Sequence, residues 1–375
     1  MRLGLFMMPL HPPERPMHET LAEDTEKSLL ADRLGFDELW VGEHFSASSE
    51  PIPSPLMFMA ALAPRTKRLT FATGVINLPN HHPAIVAAEV AQFDHMTGGR
   101  FILGIGPGGL ASDFELFACT DPIARGKRMV EAIDIIQRIW AQGRPPYDIA
   151  GPTWSARIVE AVMPEFGVGT MPVPFQRPHP PIAITARSVD SFGVKMAAQR
   201  GWGVVSANFV TTRVVAGHWN TLQKALAENG KQASGADWRV ARNLCIAATE
   251  EEAHARVFDA AGSNRYYFHY LSTLARRAGQ LATLKPSAET PDEAVTLEQI
   301  IADCVIWGSP QTVLEKLVAF REQVGPFGHL LMAGLDWSGP NAAWEQETMR
   351  RLAEEVMPRF RQHVAATEGK QRAAE

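Results

Sequence analysis

Phe101-Ile102-Leu103-Gly104-Ile105-Gly106-Pro107-Gly108-Gly109 decides the fold. Phe101–Ile105 is apolar without alternation, the pattern of a strand buried on both faces, and it runs out into a glycine-rich turn. Helical patterns flank it, at Pro83–His95 before and about Gly126–Trp140 after. Working outward, the same strand-then-helix unit recurs. Toward the N-terminus it appears as Leu3–Met8 with Thr20–Leu34, Phe36–Val41 with Pro55–Ala63, and Arg68–Ala72 with Pro83–His95. Toward the C-terminus it appears as Ile182–Thr185 with Val189–Gln199, Gly203–Ser206 with a helix to about Glu228, Arg239–Ala247 with helices after it, and His329–Ala333 with Ala342–Val364. Eight such units predict an α/β protein, a closed (β/α)8 TIM barrel rather than an open doubly wound sheet. No dinucleotide fingerprint stands at the first strand–helix turn, which disfavours the open sheet.

Two stretches break the rhythm and read as insertions on the barrel rim. Residues 141–180 hold eight of the 27 prolines, so this segment is expected to be irregular. Residues 262–299 carry Tyr266, Tyr267 and Tyr270, three of the four tyrosines, beside Phe268. These rings either pack the insertion onto the barrel or close an apolar pocket over the catalytic face. The polar residues from Ala365 form a tail after the last helix. The whole of 1–375 is expected to be one barrel domain.

The 375 residues suffice for a large core. A formal charge of −5 argues against a protein that grips nucleic acid or anionic lipid. Leu3–Leu10 is apolar but short and lacks the cleavage site of a secretory leader. The longest apolar run, Leu56–Ala63, is far below the roughly 20 residues that span a bilayer. A cytoplasmic protein without membrane or nucleic-acid partners is therefore expected. Cys119, Cys245 and Cys304 have no metal-type spacing and read as buried thiols.

In a barrel of this kind the chemistry sits on the loops that follow the strands. After the second strand comes Gly42-Glu43-His44, where a histidine can act as general base or hydrogen-bond donor, or be a satisfied structural residue. After the third comes Thr73-Gly74-Val75, where the backbone allows a flat ring to approach. His81 and His82 are adjacent, so an extended segment points them apart; the start of the helix at Pro83 is the expected role, and no metal site is expected. The Gly104–Gly109 turn exposes N–H groups suited to anions but is not a Walker loop. Arg125, Lys127 and Arg128 open the following helix against its dipole, which favours a nearby anion. In Thr185-Ala186-Arg187-Ser188-Val189-Asp190-Ser191, Ser188 either caps a helix plainly or does so while free N–H groups face a phosphate.

Together these strand ends resemble the bacterial luciferase-like flavin monooxygenases. The matching pieces are Gly42-Glu43-His44, Thr73 to Pro83, Asp94-His95-Met96-Thr97-Gly98-Gly99-Arg100, Gly104-Ile105-Gly106-Pro107-Gly108, Ala198-Gln199-Arg200-Gly201 and Trp307-Gly308-Ser309-Pro310. They span nearly the whole chain, and limonene monooxygenase-like and diketocamphane monooxygenase-like members are the most similar. The resemblance implies a two-component enzyme that takes reduced FMN (FMNH2) from a separate NAD(P)H:flavin reductase. Oxygen adds at the flavin C4a atom, and one oxygen atom passes into an apolar substrate such as a terpenoid. It implies that His44 is the catalytic residue and that a cis Gly74–Val75 bond lies under the flavin ring. Thr73, Gly74, Val75, Gly106, Thr185 and Ala186 join the cofactor-binding set, with Ser188 and Ser191 in a phosphate-holding turn and Arg128 as a phosphate-side arginine. Where luciferase has an arginine before the Gly-Leu pair of its fourth loop, this chain has Gly108, which leaves the phosphate to Arg128 and backbone donors.

Two other readings follow from the same resemblance. One is an F420-dependent oxidoreductase, disfavoured because few cations accompany Arg125, Lys127, Arg128 and Arg187 to meet that cofactor's acidic tail. The other is a non-catalytic flavin-binding partner subunit, disfavoured by His44. A homodimer is expected.

Overall fold

The continuous apolar runs fold as strands because each buries both of its faces, and a hydrogen-bonded sheet satisfies the backbone that comes with them. The computed structural model describes residues 1–374. Its strands are β1 (Arg2–Met7), β2 (Glu38–Val41), β3 (Thr70–Thr73), β4 (Ile76–Asn77), β5 (Phe101–Gly106), β6 (Tyr147–Ala150), β7 (Ser155–Ile158), β8 (Ile182–Ala186), β9 (Gly203–Ser206), β10 (Trp238–Ile246), β11 (Val305–Gly308) and β12 (His329–Gly334). Hydrogen-bonded neighbours run β1-β2-β3-β5-β8-β9-β10-β12, and β12 pairs back onto β1 in parallel from Arg2↔His329 to Met7↔Gly334. Helices lie between successive barrel strands. This is the expected (β/α)8 TIM barrel.

Several boundaries differ from the expectation. β11 is an additional strand. β10 is nine residues long, pairs β9 through Trp238–Val240 and β12 through Arg239–Arg242, and offers Asn243–Ile246 to β11. β11 abuts the helix Leu297–Cys304 with no turn between them, so no punctuation announces it. The proline-rich stretch is not wholly irregular: β6 and β7 form an antiparallel hairpin from Tyr147↔Ile158 to Ala150↔Ser155. The fourth-loop helix begins at Pro122 instead of Gly126, and the helix after β8 begins at Phe192 instead of Val189. The polar tail is helical too, since the helix Met357–Ala374 runs on past Val364; Glu375 lies outside the described residues.

The chain clusters into two compact units, Met1–Leu39 with Ile184–Glu375, and Trp40–Ala183. In the second unit the core is aromatic: Phe93 meets Phe71 and Phe101 edge-on at centroid distances of 5.8 and 5.1 Å. Arg100 lies over Phe71 and donates to the Leu69 carbonyl. In the first, Trp238 stacks on Trp219 at 5.5 Å and donates its indole N–H to Ser206. All three thiols are buried, and burial pushes Cys245 and Cys304 up to about 12. No described helix is long and apolar enough to cross a membrane.

Candidate functional site

The unit Trp40–Ala183 carries the ends of β2, β3 and β5, and its loops are knitted by buried polar side chains. Thr73 is buried, and its hydroxyl both donates to the Gly104 carbonyl (2.7 Å) and accepts from the Gly104 N–H (2.9 Å). A Cβ on Gly104 would stand 1.8 Å from the Thr73 carbonyl oxygen, so only glycine fits there. The next peptide bond, Gly74–Val75, is cis, as expected, and the Gly74 N–H donates to the Val41 carbonyl at 2.6 Å.

Beyond β2, the Glu43 carboxylate is buried and accepts from the Asn77 N–H at 3.0 Å and from His81 Nε2–H at 2.9 Å. Asn77 returns a side-chain N–H to the Glu43 carbonyl (2.9 Å) and pairs in β4 with Gly106 of β5. Three strand ends are thereby held in register. Of the adjacent histidines, His82 does start the helix, accepting from the Ala84 N–H, whereas His81 is the cationic partner of Glu43. Burial lowers the pKa of His81, and the Glu43 carboxylate more than restores it, leaving it raised.

His44 follows directly. Its Nδ1–H donates to the carboxylate of Glu50, itself 5% exposed. Burial pulls the His44 pKa down, but Glu50, then Asp113 and Glu43, pull it up further, so His44 is held as an imidazolium above the ordinary histidine range. Asp113 belongs to the short helix Ala111–Leu116 that follows the glycine turn. Its buried carboxylate accepts from the N–H groups of Phe45 (3.2 Å) and Ser46 (2.9 Å) and from the Ser46 hydroxyl. Glu43, Glu50, Asn77, His81 and Asp113 were not singled out as site residues from the sequence. Their partners lie 6 to 68 positions away, and only the Glu43-His44 dipeptide gave a local signal.

The fourth loop corrects the reading of its cations. Asp121 caps the helix Pro122–Gln142, its carboxylate accepting from the Ile123 and Ala124 N–H groups, so the dipole is already answered and the basic residues lie further in. Arg125 is structural: it lies 3.5 Å over Phe114 and donates to the Cys119 and Thr120 carbonyls. Arg128 is half-exposed and makes no hydrogen bond or ion pair with any described residue.

In the other unit, Thr185 and Ala186 end β8. Ser188 is not the helix cap. It lies in an exposed turn, and buried Ser191 occupies the N-cap of Phe192–Arg200, without a side-chain capping bond. The main-chain N–H groups of Ser188, Val189, Asp190 and Ser191 donate to no other described residue. The tyrosines of the insertion divide. Tyr267 and Phe268 are core, and the Tyr267 hydroxyl meets the Asn208 side chain at 2.9 Å. Tyr266 lines a cavity of about 430 Å³ with Pro12, His269, Leu297, Asp336 and Asn341. One His/carboxylate group of metal-like compactness occurs among the described residues, His11 with Glu23 and Asp336. The Arg15 guanidinium already bridges Glu23 (2.7 Å) and Asp336 (2.5 Å), so the charge a metal would supply is present.

The motif Asp94–Arg100 is architectural. Gly98, at φ +61°, ends the helix Pro83–Thr97, and buried Asp94 accepts from both the main-chain and side-chain N–H groups of Gln176 at 2.8 Å.

A family model described as luciferase-like monooxygenase matches residues 1–326. Limonene 1,2-monooxygenase of Rhodococcus erythropolis is 32% identical over 362 residues, covering 95% of this chain and 86% of that protein. 4-Hydroxyprotoasukamycin monooxygenase of Streptomyces nodosus subsp. asukaensis is 33% identical, covering 95% and 91%. The oxygenating constituent of 3,6-diketocamphane monooxygenase from Pseudomonas putida, a type II Baeyer–Villiger monooxygenase solved with FMN, superposes with a TM-score of 0.85 at 28% identity, covering 96% and 98%.

Proposed function

This chain belongs to the luciferase-like monooxygenase family and is a flavin-dependent monooxygenase, and from that premise we propose that it is the oxygenase of a two-component system. It takes FMNH2 from a separate NAD(P)H:flavin reductase and transfers one atom of O2 to a small apolar substrate of the terpenoid class. Bound reduced flavin supplies the electrons that activate oxygen.

The observation that carries this reading is His44, buried and paired with Glu50 at the end of β2. A protonated imidazole with its Nδ1 committed has Nε2–H left to hold or give a proton at the reacting atoms. The chain's residues also fit FMN. The backbone of Thr73, Gly74, Val75 and Gly106 would meet the flat ring. Arg128, a guanidinium without a partner among the described residues, and the N–H groups of Ser188–Ser191 beyond Thr185 and Ala186, uncommitted among the described residues, each suit a phosphate. The acidic overall charge suits neither nucleic acid nor anionic membrane, and we place the enzyme in the cytoplasm as a homodimer.

The test is oxygen transfer itself. The protein, FMN, a flavin reductase, NADH and oxygen are incubated with a panel of cyclic ketones and alkenes, and products are read by mass spectrometry. Products one oxygen heavier than the substrates, absent when either protein is omitted, are expected. Their absence across the panel, with substrate-dependent reduction of added F420 instead, would overturn the proposal. His44→Ala should lower product by roughly 10²-fold, the usual scale for acid–base catalysis, and change FMN affinity by only a few-fold.

A further inference from the structure

The loop after β2 holds a second acidic residue besides Glu43. Glu50 is 5% exposed, and its main chain is fixed on both sides, its N–H donating to Ala47 and its carbonyl accepting from Ile52. A buried carboxylate is costly unless a cation answers it, and here the answering group is His44. The loop has its own anchor, because Asp113 takes the N–H groups of Phe45 and Ser46.

We propose that Glu50 is a positioning residue for His44: it accepts the Nδ1 proton, fixes the ring, and makes Nε2 the atom that carries the transferable proton. The inference rests on the assignment of proton handling to His44. It adds a specific division of labour between the two ring nitrogens. A neutral histidine has one donor nitrogen and one acceptor, and whichever carboxylate holds one nitrogen decides what the other presents. The charged groups around His44 are Glu50 and Glu43 on its own loop and Asp113 on the helix Ala111–Leu116, and Glu43 is itself neutralised by His81. Glu50 is the one in hydrogen-bond contact, so its removal should be felt most.

The experiment uses the full chain without cofactor, labelled with ¹⁵N at histidine, and follows the His44 ring nitrogens by NMR from pH 5 to 10. Three proteins are compared: wild type, Glu50→Gln and Glu50→Asp. In wild type both nitrogens should report imidazolium well above the pH at which an ordinary histidine loses its proton. Glu50→Gln, close in shape, should lower the proton affinity of His44 at least tenfold and leave the His81 signals in place as a control on folding. Glu50→Asp should retain part of the wild-type affinity. In coupled assays the alkaline limb of product formation should move down by the same amount in Glu50→Gln, with NADH oxidation by the reductase unchanged. An unchanged His44 titration in folded Glu50→Gln overturns the proposal. If the titration moves as expected but His44→Ala leaves product formation intact, positioning by Glu50 stands and the catalytic reading of His44 is what fails.

Discussion

Replacing His11 by glutamine probes the buried ionic cluster between the start of the chain and the loop after β12. His11 is 1% exposed; its Nδ1–H donates to Asp336 at 2.7 Å and its Nε2–H to Asp24 at 3.2 Å. Two carboxylates each accepting from one ring require both nitrogens to be protonated. Burial alone would lower the pKa, yet Asp24 and Asp336 raise it from 6.5 to about 9. That rise corresponds to about 3 kcal/mol of preference for the charged ring in the fold. Because the folded pKa lies above the unfolded one, this contribution is complete below about pH 6.5 and disappears as pH rises through about 9. Glutamine does not titrate, so the pH-independent costs of the substitution, including those felt by Asp24 and Asp336, cancel when two pH values are compared. Urea unfolding of both proteins at pH 6 and pH 10 should show the wild-type advantage falling by up to about 3 kcal/mol. An advantage that is flat over that interval would refute the reasoning, because the ring would then be neutral in the fold and the carboxylates answered by Arg15 and Lys27.

Arg128→Ala should weaken FMN at least tenfold and riboflavin hardly at all, since a guanidinium with no partner among the described residues contributes through the phosphate; calorimetry with equal losses for both ligands would show that it does not hold the phosphate. Tyr267→Phe leaves the Asn208 side chain short of a buried partner and should cost about 1–3 kcal/mol of stability without raising peroxide release, whereas Tyr266→Ala, at the cavity wall, should raise hydrogen peroxide release per NADH consumed. Thermal melts beside a peroxide assay distinguish the two tyrosines, and the reverse pattern would exchange their roles.

The barrel was legible because doubly buried strands declare themselves locally. Leu3–Met8, Phe101–Ile105 and His329–Ala333 are apolar without alternation, and each precedes a helical period. β11 was not legible, because Val305–Gly308 becomes a strand only when the surplus length of β10 pairs with it. The starts of two helices were misplaced for a different reason. Asp121 before Pro122 is a local cue for a cap that competes with the basic run after it, and between Ser188 and Ser191 the choice depends on which one the packed helix buries. In the site, His44 could be named from its position after a strand, and the cis Gly74–Val75 bond from the family resemblance. The charge on His44 could not. It depends on a carboxylate six residues away being folded back onto Nδ1, on Asp113 approaching from a different loop, and on water being kept from both. Ion pairing depends on distance and dielectric, and neither quantity exists in the chain until the loops after β2 and β5 are packed together.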